Sequence, residues 1–263
     1  MGVLQCFYDN IVKAKGTASV LFCLKGRKMH SIISEIDLCG GRGASYSQPN
    51  GSNDNFASNG VGPKVSSTLK GAIGKKGSPI GIEKAYKDAN PNYDRTGTYA
   101  EYTTNCQRCV VAYELRRRGY DVTALPKYEG DTLGRVTRID RNDAIWSRWQ
   151  GAFRSAKPET VKARTSKKVV KNIEEKMKSY GDGSRGVVTI MYKNSNTGHV
   201  FNVEQRKGKT YFVDAQSGQR MWAKNYIDIV DTRTVTLTRT DNLRISDRAK
   251  NFVTSEDIYK RRK

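Results

Sequence analysis

The sequence predicts an α+β fold in which helices come first and an antiparallel sheet follows. Three observations carry that expectation. A helix with its own start and stop signals occupies residues 103–119, a second, basic helix spans Thr160–Tyr180, and residues 186–214 alternate as three short strands. The expected architecture packs the first helix on the C-terminal sheet.

The elements follow in order. Residues 1–77 read as a poorly patterned leader and a flexible linker. Its apolar pieces are short, Val20–Leu24 and Ile32-Ile33 with Ile36, and residues 44–64 are rich in Ser, Asn and Gly. Cys39-Gly40-Gly41-Arg42-Gly43 lacks the strand before and helix after that a phosphate loop requires. Order is expected to begin near Pro79, so residues 78–263 form the folded domain. Ile80–Tyr86 reads as a helix, and Asn90-Pro91-Asn92-Tyr93 as a turn.

The next stretch organises the chain. Thr104 or Asn105 can cap a helix whose apolar positions are Cys109, Ala112, Tyr113 and Leu115. Gly119 stands where a left-handed residue would close it, behind Arg116, Arg117 and Arg118 in the last turn. This places Cys106 in the first turn, where helix N–H groups can draw a thiol from about 8.5 into the range of roughly 3.5–7.5. Tyr120–Ala124 alternates as a strand. Asp143–Phe153 reads as a helix with Ile145, Trp149 and Phe153 on one apolar stripe. In the basic helix Val161, Val169, Ile173 and Met177 form the buried face. The strands are Gly186–Tyr192, His199–Glu204 and Lys209–Asp214, with a further one at Val235–Arg239.

Composition narrows the class. The 263 residues are 37% hydrophobic and 28% charged, enough apolar mass for a core, and no run of apolar residues is long enough to span a bilayer. The start Met1–Cys6 lacks the layout of a secretory signal, and Cys6 stands where a myristoylation motif needs Ser or Thr. The net charge of +21 fits either a solvated basic surface or an anionic partner such as nucleic acid. Five scattered cysteines (Cys6, Cys23, Cys39, Cys106, Cys109) make no disulfide framework. Cys106–Cys109 is a CxxC without the second pair or histidines that zinc needs, and without a thioredoxin-like strand before it. No metal or cofactor is expected.

Of the two histidines, His30 lies in the leader with no evident partner, whereas His199 opens a strand. A hairpin about Lys207-Gly208 puts position 199 opposite about 216, so Asp214 and Gln216 both come within reach of His199. A thiol at a helix start, a histidine on a strand and a carboxylate on its neighbour form the arrangement that activates a cysteine nucleophile. Cys106, His199 and Asp214 are therefore the candidate catalytic group. Asn105 and Gln216 are candidate supports, and Cys109 is the alternative nucleophile.

Asn105–Val122, led by Asn105-Cys106, resembles the signature of the papain-fold toxin domains of bacterial polymorphic toxins, domains also appended to phage head-morphogenesis proteins. Gly198–Val203 and Phe212–Gly218 resemble that family's histidine and aspartate motifs. The resemblance runs from about Ser78 to Val253 and leaves the first 77 residues uncovered. It implies a papain-like cysteine hydrolase that either deamidates glutamine in a target protein or cleaves the protein. The His–Asp spacing and hairpin are similar to those of the deamidase effectors of this fold. The family's Asn-Cys motif selects Cys106, whereas a papain-style alignment would select Cys109. Further implications are a protein substrate in a target cell and a cognate immunity protein. The chain would be made in a bacterial cytoplasm or encoded by a phage, then exported or carried in a virion. The alternative expectation is a catalytically silent, basic phage protein that associates with nucleic acid. It is motivated by the lysines of the 160–180 helix and the tail Lys260–Lys263.

Overall fold

A computed structural model describes residues 66–97, 99–127, 136–137, 148–221 and 229–255. The leader with Cys6, Cys23, His30 and Cys39, the 44–64 linker, Ile145 and the Lys260–Lys263 tail lie outside these residues.

Among the described residues the helices are α1 (Leu69–Ile73), α2 (Ile82–Lys87), α3 (Ala100–Thr103), α4 (Cys106–Arg117) and α5 (Ser166–Tyr180). The strands are β1 (Thr123–Ala124), β2 (Val136–Thr137), β3 (Glu159–Thr160), β4 (Arg185–Met191), β5 (Thr197–Arg206), β6 (Lys209–Asp214), β7 (Gln219–Met221), β8 (Thr236–Arg239) and β9 (Val253–Thr254). An antiparallel sheet of order β3-β8-β4-β5-β6-β7 forms the centre, with β2 also on β5, while β1 and β9 pair apart.

Alternation along the strands sorts the sheet's two faces. Val187, Met191, Val200 and Val213 join the core built around α4. Their neighbours Val188, Ile190, Phe201, Val203 and Phe212 join a second core with Val169, Ile173 and Met177 of α5. The sheet is thus covered by one helix on each face. α4 is buried along nearly its whole length, from Cys106 to Arg116.

Capping sets the helix limits. Gly119 takes φ +99°, its N–H reaches Arg116 O, and the Tyr120 N–H reaches Leu115 O, so α4 closes in a Schellman turn. A Cβ at Gly119 would stand 2.3 Å from Gly77 O, which restricts this position to glycine on both counts. The 206–209 turn pairs Arg206 with Lys209, and Lys207 and Gly208 have φ of +49° and +72°, the signs of a type I′ hairpin.

The structure corrects several expectations. The core includes Ala72 and Ile73, ahead of Pro79 where order was expected to begin; Thr68 caps their helix by accepting the Gly71 N–H at 3.1 Å. The 160–180 helix starts only at Ser166. Thr165 caps it by accepting the Lys168 N–H, while Glu159 and Thr160 pair with β8. Val161 is buried as expected, but from an extended segment. The expected 143–153 helix is, in its described part, a 3-10 turn over Trp149–Ala152, with Phe153 extended and bridged to Ile245. The expected 120–124 strand shortens to β1.

Candidate active site

α4 delivers Cys106 at its first residue, and β5 delivers His199. On the side of β5 away from β4, β2 pairs with Thr197 and Gly198, and β6 pairs from Asn202 onward. His199 lies between these two ladders. The 415-sum register of the hairpin (Arg206 with Lys209, Asn202 with Val213) places Asp214 one step beyond the last pair, on the side of His199. His199 Nε2 stands 3.4 Å from Asp214 Oδ1, an ion-pair contact with the imidazole 2% exposed.

Asp214 is also held by its own loop. The Gln216 N–H donates to Oδ1 at 3.0 Å and the Ser217 hydroxyl to Oδ2 at 2.8 Å. Gln216 thus supports the site through its backbone. Burial raises the Asp214 carboxyl, but the His199 charge and these donors outweigh it and hold the group below its ordinary value. For His199 burial is the largest single influence and favours the neutral ring. The Asp214 carboxylate and a hydrogen bond with Cys106 together overcome it and push the imidazole up to about 10.

The two cysteines differ in surroundings. Cys109, one turn deeper, donates to Asn105 Oδ1 at 3.2 Å. Burial, then the negative charges of Cys106 and Asp214, push its thiol well above the ordinary value. It is therefore a neutral, inert group. Cys106 is fully buried too, but it meets the imidazole.

Asn105 occupies the N-cap position without capping through its side chain, which corrects the expected cap. Its amide instead donates to Leu125 O at 3.1 Å and to Asn90 Oδ1 at 3.2 Å. Asn90 and Ser217 are the two site neighbours that the sequence reading missed. Asp214-x-x-Ser217 is a local side-chain pairing pattern that could have flagged Ser217. Asn90 read only as a turn residue before Pro91.

Residues 104–219 match the family model described as papain fold toxin 1, glutamine deamidase. The resemblance read from the sequence is thereby shown, and so is the fold. This region is similar to a papain-fold toxin domain. Cys106, His199 and Asp214 all fall inside the matched segment, whereas Asn90 lies outside it. No curated protein and no solved structure matched the chain. The papain-fold toxin match supports an enzyme of the glutamine deamidase class acting on a protein target.

Proposed function

We propose that the protein is a toxin that hydrolyses the side-chain amide of a glutamine in a target protein, with Cys106 as nucleophile, His199 as proton carrier and Asp214 as its anchor. The observation that carries this reading is the contact of His199 with both Cys106 and Asp214 inside the segment matched to the glutamine deamidases.

The steps follow from the charges. With Nε2 turned to Asp214, Nδ1 is the nitrogen that serves Cys106. The imidazole is protonated at neutral pH, and its charge beside Cys106 favours the thiolate that the reaction needs. The thiolate attacks the amide carbon, and the imidazolium gives its proton to the departing nitrogen, which leaves as ammonia. A thioester remains. Water then attacks it with the imidazole as base, the C–S bond breaks, and glutamate and the thiolate are restored. Backbone N–H groups at the start of α4 would hold the oxyanion, the role helix N-termini suit. Delivery into a target cell, by export or within a virion, belongs to the same proposal.

The test is mass spectrometry of proteins from a target cell exposed to the purified chain. Deamidation adds about one dalton at glutamine, an amide becoming an acid, with no new chain ends. New termini dependent on Cys106 would replace deamidation by proteolysis. Full activity in His199→Ala would overturn the triad.

The basic face of α5 does not outweigh this reading. Lys167, Lys168 and Lys178 are exposed, as is Lys162 in the segment before the helix, whereas Lys171 pairs with Glu175 and Lys176 with Glu159. Such a face is what a soluble helix presents to water.

A further inference from the structure

Asn90 stands in the chain just after α2, far from every residue given a chemical role above. Its side chain is 3% exposed. Nδ2 donates to Tyr102 O at 2.8 Å, to Gln216 O at 2.9 Å and to Asn105 Oδ1 at 3.3 Å. Oδ1 accepts from Asn105 Nδ2 at 3.2 Å. The two asparagines therefore face each other as a reciprocal amide pair.

The groups it binds share one property. Asn105 directly precedes Cys106 and also accepts the Cys109 thiol. Tyr102 belongs to α3, the turn leading into that position. Gln216 is the residue whose N–H holds Asp214 Oδ1. One carboxamide thus ties the segment that starts the nucleophile helix to the loop that fixes the carboxylate. The ties are backbone carbonyls and one neutral amide, so they set position without adding charge. A buried amide of this kind has little freedom, because each donor left unmade costs its full desolvation.

We propose that Asn90 is a positioning residue for the Cys106–His199–Asp214 group, fixing the approach of the Asp214 loop to the start of α4. The proposal rests on the reading of that group given above.

The test needs no substrate. Iodoacetamide alkylation of Cys106 in the full chain, followed over pH 5–9 and normalised to each variant's own rate at pH 9, reports the thiolate fraction separately from the access of reagent to this buried thiol. Trypsin separates the two cysteines, since cleavage at Arg95, Arg108 and Arg116 yields one peptide ending in Asn-Cys-Gln-Arg with Cys106 and another beginning at Cys109. In the wild type the Cys106 peptide is expected to label at pH 6, and His199→Ala to abolish labelling there. Asn90→Ala is expected to move the midpoint upward by about one unit, which slows labelling by about tenfold at a pH below the wild-type midpoint. Asn90→Ser is expected to do the same if the alanine variant fails to fold.

A folded Asn90 variant whose profile coincides with wild type overturns the positioning role and leaves the triad standing. Failure of both variants to fold overturns it too, since the residue would then be a plain core element. If His199→Ala leaves the Cys106 profile unmoved, or the wild-type profile has the midpoint of an ordinary thiol, the thiolate–imidazolium reading fails and takes this proposal with it.

Discussion

The two ends of α4 are both buried and both polar, yet they are built on different principles. At the C-terminal end charges pair in excess. Glu114 accepts from Arg118 at 2.7 Å, from Arg185 at 2.9 Å and from Thr240 at 3.2 Å. Glu204 accepts from two of the guanidinium nitrogens of Arg117, at 2.8 and 2.7 Å, and from the Tyr113 hydroxyl at 2.8 Å. Arg116 spans Asp121 at 2.7 Å and Asp88 at 3.2 Å. At the N-terminal end a single imidazole meets a single carboxylate, and around them stand amides, backbone, the Ser217 hydroxyl and the Arg108 guanidinium, which donates to the Pro126 carbonyl. The first end is over-determined and fixes the helix. The second keeps an ionisable pair whose charges can be moved. Burial and ion pairing alone thus do not mark a functional site; the distinguishing feature is a proton with somewhere to go.

The sharpest way to break this contrast is to remove the thiol. Cys106→Ala is expected to lower deamidation by about 10⁴-fold or more, measured as ammonia release, with the fold intact. Cys109→Ala should keep the chemistry and lower the melting temperature, through the lost buried contact with Asn105. Equal losses in both variants would erase the distinction between the two thiols.

At the other end, Glu114→Ala is expected to destabilise by about 3–5 kcal/mol in urea unfolding, because Arg185 and Arg118 would stay largely buried without their partner. Turnover per folded molecule should barely change. A large loss of turnover with stability intact would mean that the ionic end also serves the chemistry.

Before smaller effects are weighed, the roles of sequence and structure at these two ends can be compared. The hairpin register was legible because Lys207-Gly208 marks the turn and the flanking alternation has period two, so the approach of Asp214 to His199 followed. The Gly119 stop and the Cys106 start were legible for the same local reason. The surroundings of α4 were not. Gln107, Arg108, Glu114 and Arg116 are all buried, whereas periodicity assigns such residues to solvent. Their partners lie far off in sequence, Glu114 with Arg185 and Thr240, and Asn90 with Gln216. Two-residue strands such as β3 and β9 carry no periodic signal, and the Thr165 cap that delays α5 was outweighed by an apolar pattern reaching back to Val161.

pH distinguishes the ends more finely. His199 keeps its proton to about 10 in the folded protein, against 6.5 ordinarily. Its contribution to stability is complete below about pH 6.5 and is lost as pH rises toward 10. Asp214 is shifted down, so its contribution is present above its ordinary value of 3.8 and is lost as pH falls through the folded value. Arg117 is pushed up, chiefly by its hydrogen bond to Glu204, and Arg185 is pushed up by Glu114 against the pull of burial. These arginines therefore add no slope between pH 6.5 and 10. A melting temperature that declines over this range in wild type, less steeply in His199→Gln, is the expected outcome. Parallel curves would place the proton elsewhere.

The smallest effect concerns the turn that sets the register. Lys207 holds a left-handed φ that asparagine tolerates better. Lys207→Asn is expected to stabilise by about 0.5–1 kcal/mol in chemical denaturation without altering turnover. A change in turnover would show that the hairpin does more than bring Asp214 to its place.

The hairpin also bears on how the protein comes to be active. β5 and β6 close over a two-residue turn, and such a hairpin can form in about 1–10 μs by itself. Cys106 and His199, by contrast, are separated by most of the central chain, and contacts of that range close late. The thiol is made early in synthesis and the imidazole much later. During that interval a partly folded chain carries the Cys106 thiol without the imidazole that the proposed reaction pairs with it. On the proposed mechanism, activity would arrive only with complete folding.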